Sequence, residues 1–479
     1  MTLAYHINFI MNHIKIDIKF QKQLQLLLEA YPLVYTIACA IDKSGGKSLL
    51  VGGAVRDLFL NKPIKDLDIE VYHLSMAQLE NLLKKFGQVS MIGQAFGVLR
   101  VHGLDVDWSI PREDTAGRKP QVHTDPFMTF KKAFSRRDLT INAMGIDIIS
   151  YELIDPFNGL YDLAHSILRT PDKKRFVEDP LRFYRVMQFI ARFEMYPDQE
   201  LNDICQTMDI SAVSRERIEE EYKKWLLKSS KPSLALCWLK TINRLIKIFP
   251  EIAALCNIPQ NPVWHPEGTA YEHTLQAVDA AAQLSYSSDK EKLILMYAAL
   301  CHDLGKATTT EKRDNQWTSY GHERESVRLT KKLLKRITNN KELTITICIL
   351  VRYHMRPSVL VSSNASLSAY KRLAKKMSPY VTLSMLGKLA LADLRGRNPK
   401  KGEPLGIHIE VIETFLKRAA EAEVLKKIER PVLLGRDLLD VMQPGPQMGI
   451  ALKRAYEIQL EEGIQDKEML KKRVLKTTA

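Results

Sequence analysis

The chain has few cysteines and lacks the segments that would mark a secreted or membrane-spanning protein. Its six cysteines form no C-x-x-C pair, so neither a disulfide framework nor a structural zinc site is indicated. No uninterrupted apolar run approaches the roughly 18 residues of a spanning helix. Residues 1–20 also lack the basic start and small-residue cleavage site of a secretory signal. We therefore expect a cytoplasmic protein with reduced thiols and no membrane partner.

Acidic residues are outnumbered by basic ones. Lysine and arginine total 70 against 56 aspartates and glutamates, which gives a net charge of +14. This excess predicts a polyanionic partner such as nucleic acid, with an anionic membrane as the weaker alternative. A chain of 479 residues is also too long for one hydrophobic core, and roughly two to four domains are expected.

Strand patterns are concentrated in the first third of the chain. Short strands alternate with helices there, whereas helical periodicity dominates the remainder. Breaks rich in proline or glycine, near residues 257–268 and 397–404, indicate further boundaries. We predict an α+β head over residues 21–165, an all-α neck over 166–256, a helical domain over 257–400 and a helical tail over 401–479.

Residues 49–72, LLVGGAVRDLFLNKPIKDLDIEVY, join a glycine pair to two closely spaced carboxylates. The pattern predicts a buried strand, a turn at Gly52 and Gly53 that a ligand can approach closely, and a helix start whose N–H groups can hold phosphate. Asp66 and Asp68 face the same side of a second strand, roughly 7 Å apart, and can share Mg²⁺. Each feature alone is usually structural. Together they favour a site for a metal-bound nucleoside triphosphate.

Two other segments of the head carry weaker signals. Asp107, on a later predicted strand, is either a third metal-binding carboxylate or a solvated strand residue, with equal weight. In SRRDLTINAM, Arg136 and Arg137 can neutralise triphosphate charge, and Asp138 can accept a hydrogen bond from a ribose hydroxyl. A capped helix start with solvated arginines explains the same residues, and on this segment alone that interpretation is favoured.

The segment EDPLRFYR places an acceptor and a forked donor on one helix face. Asp179 and Arg182 are three residues apart, although Asp179 before Pro180 is also an ordinary helix cap. Cytosine and adenine each present an amino group beside an acceptor nitrogen, so this pair can read both. Guanine and uracil present a carbonyl instead, and each group left unpaired costs on the order of 1–3 kcal/mol or more.

The order of these motifs resembles the class II tRNA nucleotidyltransferase and bacterial poly(A) polymerase family. LLVGGAVRDLFL, DLDIEV, RRDLTINAM, DPFNGLYDL, EDPLRFYR and SRERIEEEY carry the likeness over residues 49–227. It implies a nucleotidyltransferase head of the polymerase-β type followed by helical neck, body and tail. It also implies catalytic metals on Asp66 and Asp68, and nucleotide contacts from Gly52, Gly53, Arg56, Arg137, Asp138, Asp179, Arg182 and Arg185. Within that set, Arg137 and Asp138 would recognise the ribose, and Asp179 and Arg182 would act as the template for C and A.

The chain departs from this family in two places. Residues 111–134 are charged and aperiodic, which predicts a long mobile loop, and the resemblance implies a role for it in switching from C to A. Just before the RRD motif, at the end of this loop, the chain reads KKAFS where an acidic pair is frequent, and Asn158 replaces a frequent glycine in the DPF motif.

A second set of metal ligands lies downstream. In LCHDLGK, the adjacent His302 and Asp303 at a helix end can both reach one cation. With YEHTLQAV, GHERE, YHMRP and LADLRGR, this motif resembles the HD phosphohydrolase domain. The resemblance implies one divalent metal of unknown identity on His273, His302, Asp303 and Asp393, a second on His322 and His354, and Lys306 facing substrate phosphate. A degenerate, metal-free helical domain is the alternative.

Taken together, these motifs predict a CCA-adding enzyme. It would transfer CMP and AMP from CTP and ATP to the tRNA 3′ end with two Mg²⁺ ions, while basic helices grip the acceptor arm. The HD domain would hydrolyse an RNA-end phosphate, such as a 2′,3′-cyclic phosphate or a 2′-phosphate. The nearest rivals are a poly(A) polymerase and an enzyme that adds only CC or only A. A rival of another class is an RNA-end phosphohydrolase whose transferase-like head binds RNA.

Overall fold

The computed structural model describes residues 13–64, 66–92, 97–114, 122–400 and 402–478. The chain divides into two compact units, one ending at Val213 and the other beginning at Ser214. This division falls within the predicted neck, and the four-part domain organisation stays a prediction. Residues 1–12, on which the prediction of no signal sequence partly depends, and residues 115–121 of the predicted loop lie outside the described residues.

A mixed sheet forms the centre of the first unit. The strands of its described residues are, in chain order, β1 His13–Lys15, β2 Lys47–Val51, β3 Leu67–Tyr72, β4 Val89–Ile92, β5 Val98–Val101, β6 Val106–Ser109, β7 Arg112–Asp114, β8 Val122–Thr124, β9 Gly145–Asp147, β10 Glu152–Ile154, β11 Ile167–Leu168 and β12 Tyr196–Pro197. Within the described residues, eight of them join in the order β1-β10-β9-β2-β3-β6-β5-β4. β3 and β6 pair in parallel, with Asp68 opposite Asp107.

Helices cover this sheet and continue beyond it. They are α1 Ile18–Ala30, α2 Pro32–Lys43, α3 Gly53–Phe59, α4 Met76–Leu83, α5 Phe130–Ser135, α6 Gly159–Ala164, α7 Lys173–Phe176, α8 Leu181–Phe193 and α9 Gln199–Thr207. Part of the core joins Leu49 and Val51 of β2 to Phe134 of α5 and Ile154 of β10. Burial of this apolar surface holds β2 in place, so the turn that follows β2 is fixed at the end of a rigid strand.

The predicted strand, glycine turn and helix are present over residues 47–59. β2 ends at Val51, Gly52 has a φ of 72°, and α3 begins at Gly53. Few residues other than glycine adopt this left-handed backbone. Asn158, which stands where the related motif often has glycine, has a φ of 58°, and asparagine tolerates that conformation better than most side chains. This departure therefore preserves the backbone.

Residues 111–134 are more regular than a single mobile loop. β7 and β8 pair antiparallel, from Arg112 opposite Thr124 to Asp114 opposite Val122. α5 then begins at Phe130, where the Thr129 side chain accepts a hydrogen bond from the N–H of Lys132. The prediction of a continuous loop is therefore wrong on both sides of residues 115–121. Charged side chains concealed the strand pattern in the sequence. One of them, Glu113 on β7, forms ion pairs with Lys132 and Arg175 in the fold.

The second unit is mainly helical. Its helices are α10 Arg215–Lys228, α11 Ser233–Thr241, α12 Leu245–Ile248, α13 Pro250–Ala253, α14 Ala270–Ala282, α15 Asp289–Cys301, α16 Lys306–Thr309, α17 His322–Ile337, α18 Lys341–Tyr353, α19 Arg356–Ser362, α20 Leu367–Met377, α21 Leu383–Arg395, α22 Glu410–Glu421, α23 Pro446–Glu462 and α24 Lys467–Thr478. β13 Glu311–Arg313 and β14 Gln316–Thr318 form a hairpin that the periodicity did not predict. The predicted fold class is confirmed, with this hairpin and the β11–β12 pair as additions.

Glycine allows the close helix packing around the predicted HD motif. A Cβ atom on Gly305 would lie 2.2 Å from the carbonyl oxygen of His322, and the Gly305 N–H donates to the Ser326 hydroxyl at 2.8 Å. Any larger residue would push the end of α15 away from the start of α17. The glycine of LCHDLGK thus brings His302 and Asp303 close to His322.

Among the described residues, no single helix has both the length and the apolar composition of a membrane span. α1 and α2 satisfy these criteria only as a pair, and they meet at a bend of 104°.

Candidate nucleotidyl-transfer site and metal centre

Three carboxylates converge at the middle of the sheet in the first unit. Asp66 lies immediately before β3, Asp68 lies on β3, and Asp107 is the partner of Asp68 on β6. The side chains of Asp66 and Asp68 are exposed. Desolvation raises the pKa of Asp68, Arg137 opposes this shift, and the charges of Asp107 and Asp66 raise the pKa further. The three carboxylates offer only oxygen donors, leave coordination positions open and repel one another. Such a site suits a hard cation such as Mg²⁺.

Asp107 is also tied to an arginine on the neighbouring strand. Its Oδ1 accepts hydrogen bonds from Arg100 Nε at 2.8 Å and from Nη2 at 2.6 Å. Its side chain is 35% exposed, so it is neither a fully solvated strand residue nor a buried one. The register with Asp68 supports the interpretation of Asp107 as a third carboxylate of the site.

The glycine turn lies between the carboxylates and Arg137. A Cβ on Gly52 would lie 2.7 Å from Arg137 Nη1 and 3.9 Å from Asp68 Oδ2. Absence of a side chain there lets the guanidinium approach the end of β2. The glycine turn, the Arg137 guanidinium and the Asp68 carboxylate thus lie close together, which is the arrangement that the sequence predicted for a phosphate-binding site.

Glu70 is a residue of this site that the sequence analysis missed. It lies on β3, is 1% exposed, and accepts a hydrogen bond from the Tyr72 hydroxyl at 2.6 Å. Its other oxygen is 3.2 Å from Arg136 Nη2 and 3.8 Å from Arg137 Nη2. One buried carboxylate therefore holds both arginines of the RRD motif. The signal was available, because Glu70 continues the alternation begun by Asp66 and Asp68.

A buried polar network connects Arg56 with Asp138. The Arg56 guanidinium donates to Asn142 Oδ1 at 2.5 Å and to Asp57, and Asn142 donates to Asp138 Oδ1 at 2.9 Å. Asp138 Oδ2 accepts from Arg185 Nε at 2.6 Å. Burial acts to raise the pKa of Asp138, but Arg185 and Asn142 outweigh it and hold that pKa at about 2. Three predicted nucleotide-site residues, Arg56, Asp138 and Arg185, therefore belong to one hydrogen-bonded network.

The EDPLR motif is attached to the RRD motif. Asp179 Oδ1 accepts from the Leu181 N–H at 3.1 Å, which is the capping contact expected of this position. Arg182 donates through Nη1 to the carbonyl of Arg175 at 2.9 Å and through Nη2 to the carbonyl of Arg136. The predicted base-reading helix α8 is thus docked directly on the segment that holds Arg136.

The predicted HD ligands form a compact cluster in the second unit. Asp303 lies between two histidine pairs, with one carboxylate oxygen toward each. Oδ2 is 3.3 Å from His302 Nε2 and 3.6 Å from His273 Nε2. Oδ1 is 3.3 Å from His322 Nε2 and 3.7 Å from His354 Nε2. Asp393 Oδ1 completes the first group, 3.2 Å from His273 Nε2.

The ring orientations fit metal binding. The Nδ1 atoms of His302, His322 and His354 each lie 2.8 Å from a backbone carbonyl oxygen, and Nδ1 of His273 lies 2.8 Å from a carboxylate oxygen of Glu267. The carbonyl oxygens only accept, so Nδ1 of His302, His322 and His354 carries the proton. Nε2 of each of these three rings then directs a lone pair toward the cluster, which is the tautomer a cation requires.

The charge state of the cluster also suits a divalent cation. Burial acts to raise the pKa of Asp303, but Lys306 and the surrounding imidazoles hold it well below its usual value. Burial lowers the pKa of His354 to about 3, helped by His322 and His302. Asp303 is therefore ionised and His354 neutral, whereas burial acts to lower the pKa of His273 but the carboxylates of Asp393 and Glu267 outweigh it and raise that pKa. Lys306 Nζ lies 2.7 Å from Asp303 Oδ2 and 2.6 Å from Gln260 Oε1.

Two supporting residues of this centre were not predicted. Glu267, 2% exposed, accepts from His273 and also from His265 Nδ1 at 2.8 Å. Arg397 Nη2 lies 3.1 Å from Asp393 Oδ1. Glu267 lies in the proline-rich segment that the sequence analysis interpreted only as a domain boundary. An H-x-E triplet just before a ligand-bearing helix was nevertheless a usable signal for this residue.

The fold and both sites define a nucleotidyltransferase carrying an HD domain. Residues 48–169 match the family described as Poly A polymerase head domain, and residues 270–382 match the HD domain family. The multifunctional CCA protein of Nitrosospira multiformis is 32% identical over 68% of this chain and 79% of its own length. That of Thioalkalivibrio sulfidiphilus is 31% identical over 85% and 96%. The chain belongs to the multifunctional CCA protein family.

A solved structure confirms the fold over the whole length. The Thermotoga maritima CCA-adding enzyme complexed with tRNA is 18% identical, covers 97% of each chain and has a TM-score of 0.58. The predicted family and the predicted nucleotidyltransferase activity are confirmed by the curated relatives and by the match to the head-domain family. The individual site residues remain predictions, supported by the geometry described above.

Proposed function

We propose that this chain adds CCA to tRNA 3′ ends with CTP and ATP as substrates. The observation that carries the proposal is the convergence of Asp66, Asp68 and Asp107 beside the Gly52 turn and Arg137. Relatives named for CCA addition make this reaction the better choice over poly(A), CC-only or A-only synthesis. The domain limits predicted above and a cytoplasmic location are parts of the same proposal.

Each residue has a defined task in the proposed transfer. Asp66, Asp68 and Asp107 would hold two Mg²⁺ ions, which stabilise charge on the attacking and leaving oxygens when bound. The backbone at Gly52 and Gly53 receives the triphosphate, and Arg136 and Arg137 neutralise its charge. The tRNA 3′-hydroxyl displaces pyrophosphate from the α-phosphate, and its proton is taken up at the carboxylate side of the site.

The remaining residues orient the ribose and base. We assign the ribose to Asp138, held in place by Arg185, and reading of the base edge to Asp179 and Arg182. Arg56 supports the same region through Asn142. Since α8 is docked on the RRD segment, a change in one element repositions the other.

Nucleotide addition to staged tRNA transcripts tests this proposal. Transcripts ending before the first C, after C and after CC are each offered one labelled triphosphate, and products are resolved on a gel. We expect C on the first two and A on the third, with arrest after one A. A long A tail would contradict the proposal, and so would incorporation of G or U at comparable rates.

We also propose that the HD centre is an active phosphohydrolase of RNA-end phosphates. The intact ligand set and the uniform Nε2 orientation argue against a degenerate, metal-free domain. A head that only binds RNA is disfavoured by the complete carboxylate set of the first unit. Lys306, beside Asp303, is placed to contact a substrate phosphate.

The two donor sets predict different metals. Oxygen ligands in the head suit Mg²⁺, whereas imidazoles and carboxylates in the HD centre suit transition metals. After chelation and desalting, Mg²⁺ alone should restore nucleotide transfer, and hydrolysis of a 2′,3′-cyclic phosphate should require Mn²⁺, Co²⁺ or Ni²⁺. Full recovery of both activities with Mg²⁺ would refute the distinction.

A further inference from the structure

A cavity of about 290 Å³ opens beside the His322 end of the HD centre. The segment before α17, the start of α17 and the junction of α18 with α19 form its walls. His322 lines the cavity, and its Nε2 also faces Asp303 and His354. A molecule in the cavity is therefore adjacent to the metal ligands.

One side of the cavity is apolar and accessible. Tyr320, Val359 and Met355 line it, with exposed fractions of 71%, 42% and 37%. The guanidinium of Arg313, from the β13–β14 hairpin, lies 5.2 Å from the centroid of the Tyr320 ring. This contact restricts the ring, and an exposed aromatic ring of this kind is a stacking surface for a nucleobase.

The lining of the cavity also carries positive charge. Arg352 and Arg356 both line the cavity. Arg352 Nη1 donates to Glu323 at 3.0 Å, so its charge is partly balanced. Arg356 is exposed at the start of α19 and is the more available cation for a phosphate. The apolar side chains suit a base, the arginine suits a phosphate, and the adjacent metal centre suits the phosphoester that reacts. Together these features match the parts of a nucleotide.

We propose that this cavity binds the terminal nucleoside of the RNA whose phosphoester the HD centre hydrolyses. The base lies against Tyr320, Met355 and Val359, and Arg356 contacts the phosphate on the 5′ side. The volume is at the small end of ligand pockets, about 300–1,000 Å³, so it accommodates one nucleoside. The inference rests on the proposed phosphohydrolase function.

The reaction at this position balances without a further reactant. Water adds to the phosphorus of a 2′,3′-cyclic phosphate, one bond from phosphorus to a ribose oxygen breaks, and that oxygen takes the proton. The ribose thus connects the reacting phosphorus to the base held in the cavity. The base contact is remote from the reacting bonds and is the same in the bound substrate and in the transition state, so its loss should raise KM more than it lowers kcat.

Tyr320→Ala tests this assignment with two substrates. We expect KM for adenosine 2′,3′-cyclic phosphate to rise about 5- to 150-fold, the loss of one base-stacking contact, with kcat nearly unchanged. KM for ribose 2′,3′-cyclic phosphate without a base should not change, and Tyr320→Phe should behave as the parent. Tyr196→Ala, an exposed tyrosine of the first unit, is the control. Equal KM shifts for both substrates, or none, would overturn the inference.

A binding measurement separates this inference from the hydrolase proposal. Calorimetry with adenosine 3′,5′-bisphosphate should show weaker binding to Tyr320→Ala and to Arg356→Ala than to the parent and Tyr196→Ala. If the parent hydrolyses no phosphoester but this pattern holds, the hydrolase proposal fails and the nucleoside site stands. If hydrolysis is measured and both variants bind as the parent does, the cavity assignment fails alone.

Discussion

The two candidate sites differ in how complete they are before a ligand arrives. In the head, Asp66 and Asp68 are exposed, and their charges repel one another. In the HD domain, Asp303 is 3% exposed and His302 is 1% exposed, and every imidazole is already oriented. The head site thus requires metal and triphosphate to assemble it, whereas the HD centre is preorganised around one carboxylate. Single substitutions should show this difference.

The largest effect is expected at Asp68. Asp68→Ala removes a central metal-binding carboxylate, worth several kcal/mol of transition-state stabilisation, so CMP incorporation should fall about 10³-fold or more. Hydrolysis at the HD centre should be unaffected. Asp42→Ala, at an exposed position of α2, serves as the control in the same gel assay. Retention of substantial incorporation would remove Asp68 from the catalytic site.

Asp303→Asn should abolish the HD reaction and empty both metal positions. Asparagine keeps the shape but removes the charge shared by the two histidine pairs, so hydrolysis of a cyclic phosphate should fall about 10²-fold or more. Metal content per chain, measured by elemental analysis, should fall with it, while tRNA addition continues. Asp289→Asn, on the exposed start of α15, is the matched control. Normal metal content in Asp303→Asn would contradict the shared-ligand geometry.

A smaller effect is expected at Glu70, which positions residues without contacting the nucleotide. Glu70→Gln removes the charge that holds Arg136 and Arg137, a contribution of roughly 1.5–3 kcal/mol, so kcat/KM for CTP should fall about tenfold or more. The loss should lie mainly in KM. Glu80→Gln, which loses only the surface pair with Lys84, should behave as the parent. An unchanged KM together with a lower melting temperature would indicate a purely structural role.

The smallest predicted effect concerns stability and pH. The pKa of Asp138 is depressed to about 2, so its ionised form stabilises the folded state above pH 4, and this contribution is lost as pH falls from 4 toward 2. Asp138→Asn should therefore cost about 2 kcal/mol at pH 7 and progressively less in acid. Urea denaturation at pH 7 and pH 3.5 measures the difference. A cost that does not vary with pH would exclude the ion pair with Arg185 as its source.

Sequence patterns predicted the ligands better than their supports. The i, i+2 spacing of Asp66 and Asp68 and the adjacent histidine and aspartate of the HD motif are patterns of neighbouring residues. The positions of these ligands could therefore be predicted from the sequence. Glu70 acts through Arg137, which is distant along the chain, so only the fold shows that contact. Glu267 lies six residues before His273, but nothing in the sequence alone shows that its carboxylate faces the His273 ring. The β13–β14 hairpin had a local signal, since Asp314 and Asn315 both have positive φ, as two-residue hairpin turns require. The short, charged strand Glu311–Arg313 before this turn concealed it.

The parallel register of β3 and β6 gives the transfer site a kinetic property. Asp68 and Asp107 become neighbours only after a long crossover between the two strands has closed, and such non-local pairing is slow compared with helix formation. During refolding, helical circular dichroism should therefore recover before nucleotide incorporation does. Recovery of enzymatic activity thus reports when the non-local strand pairings of the sheet have formed.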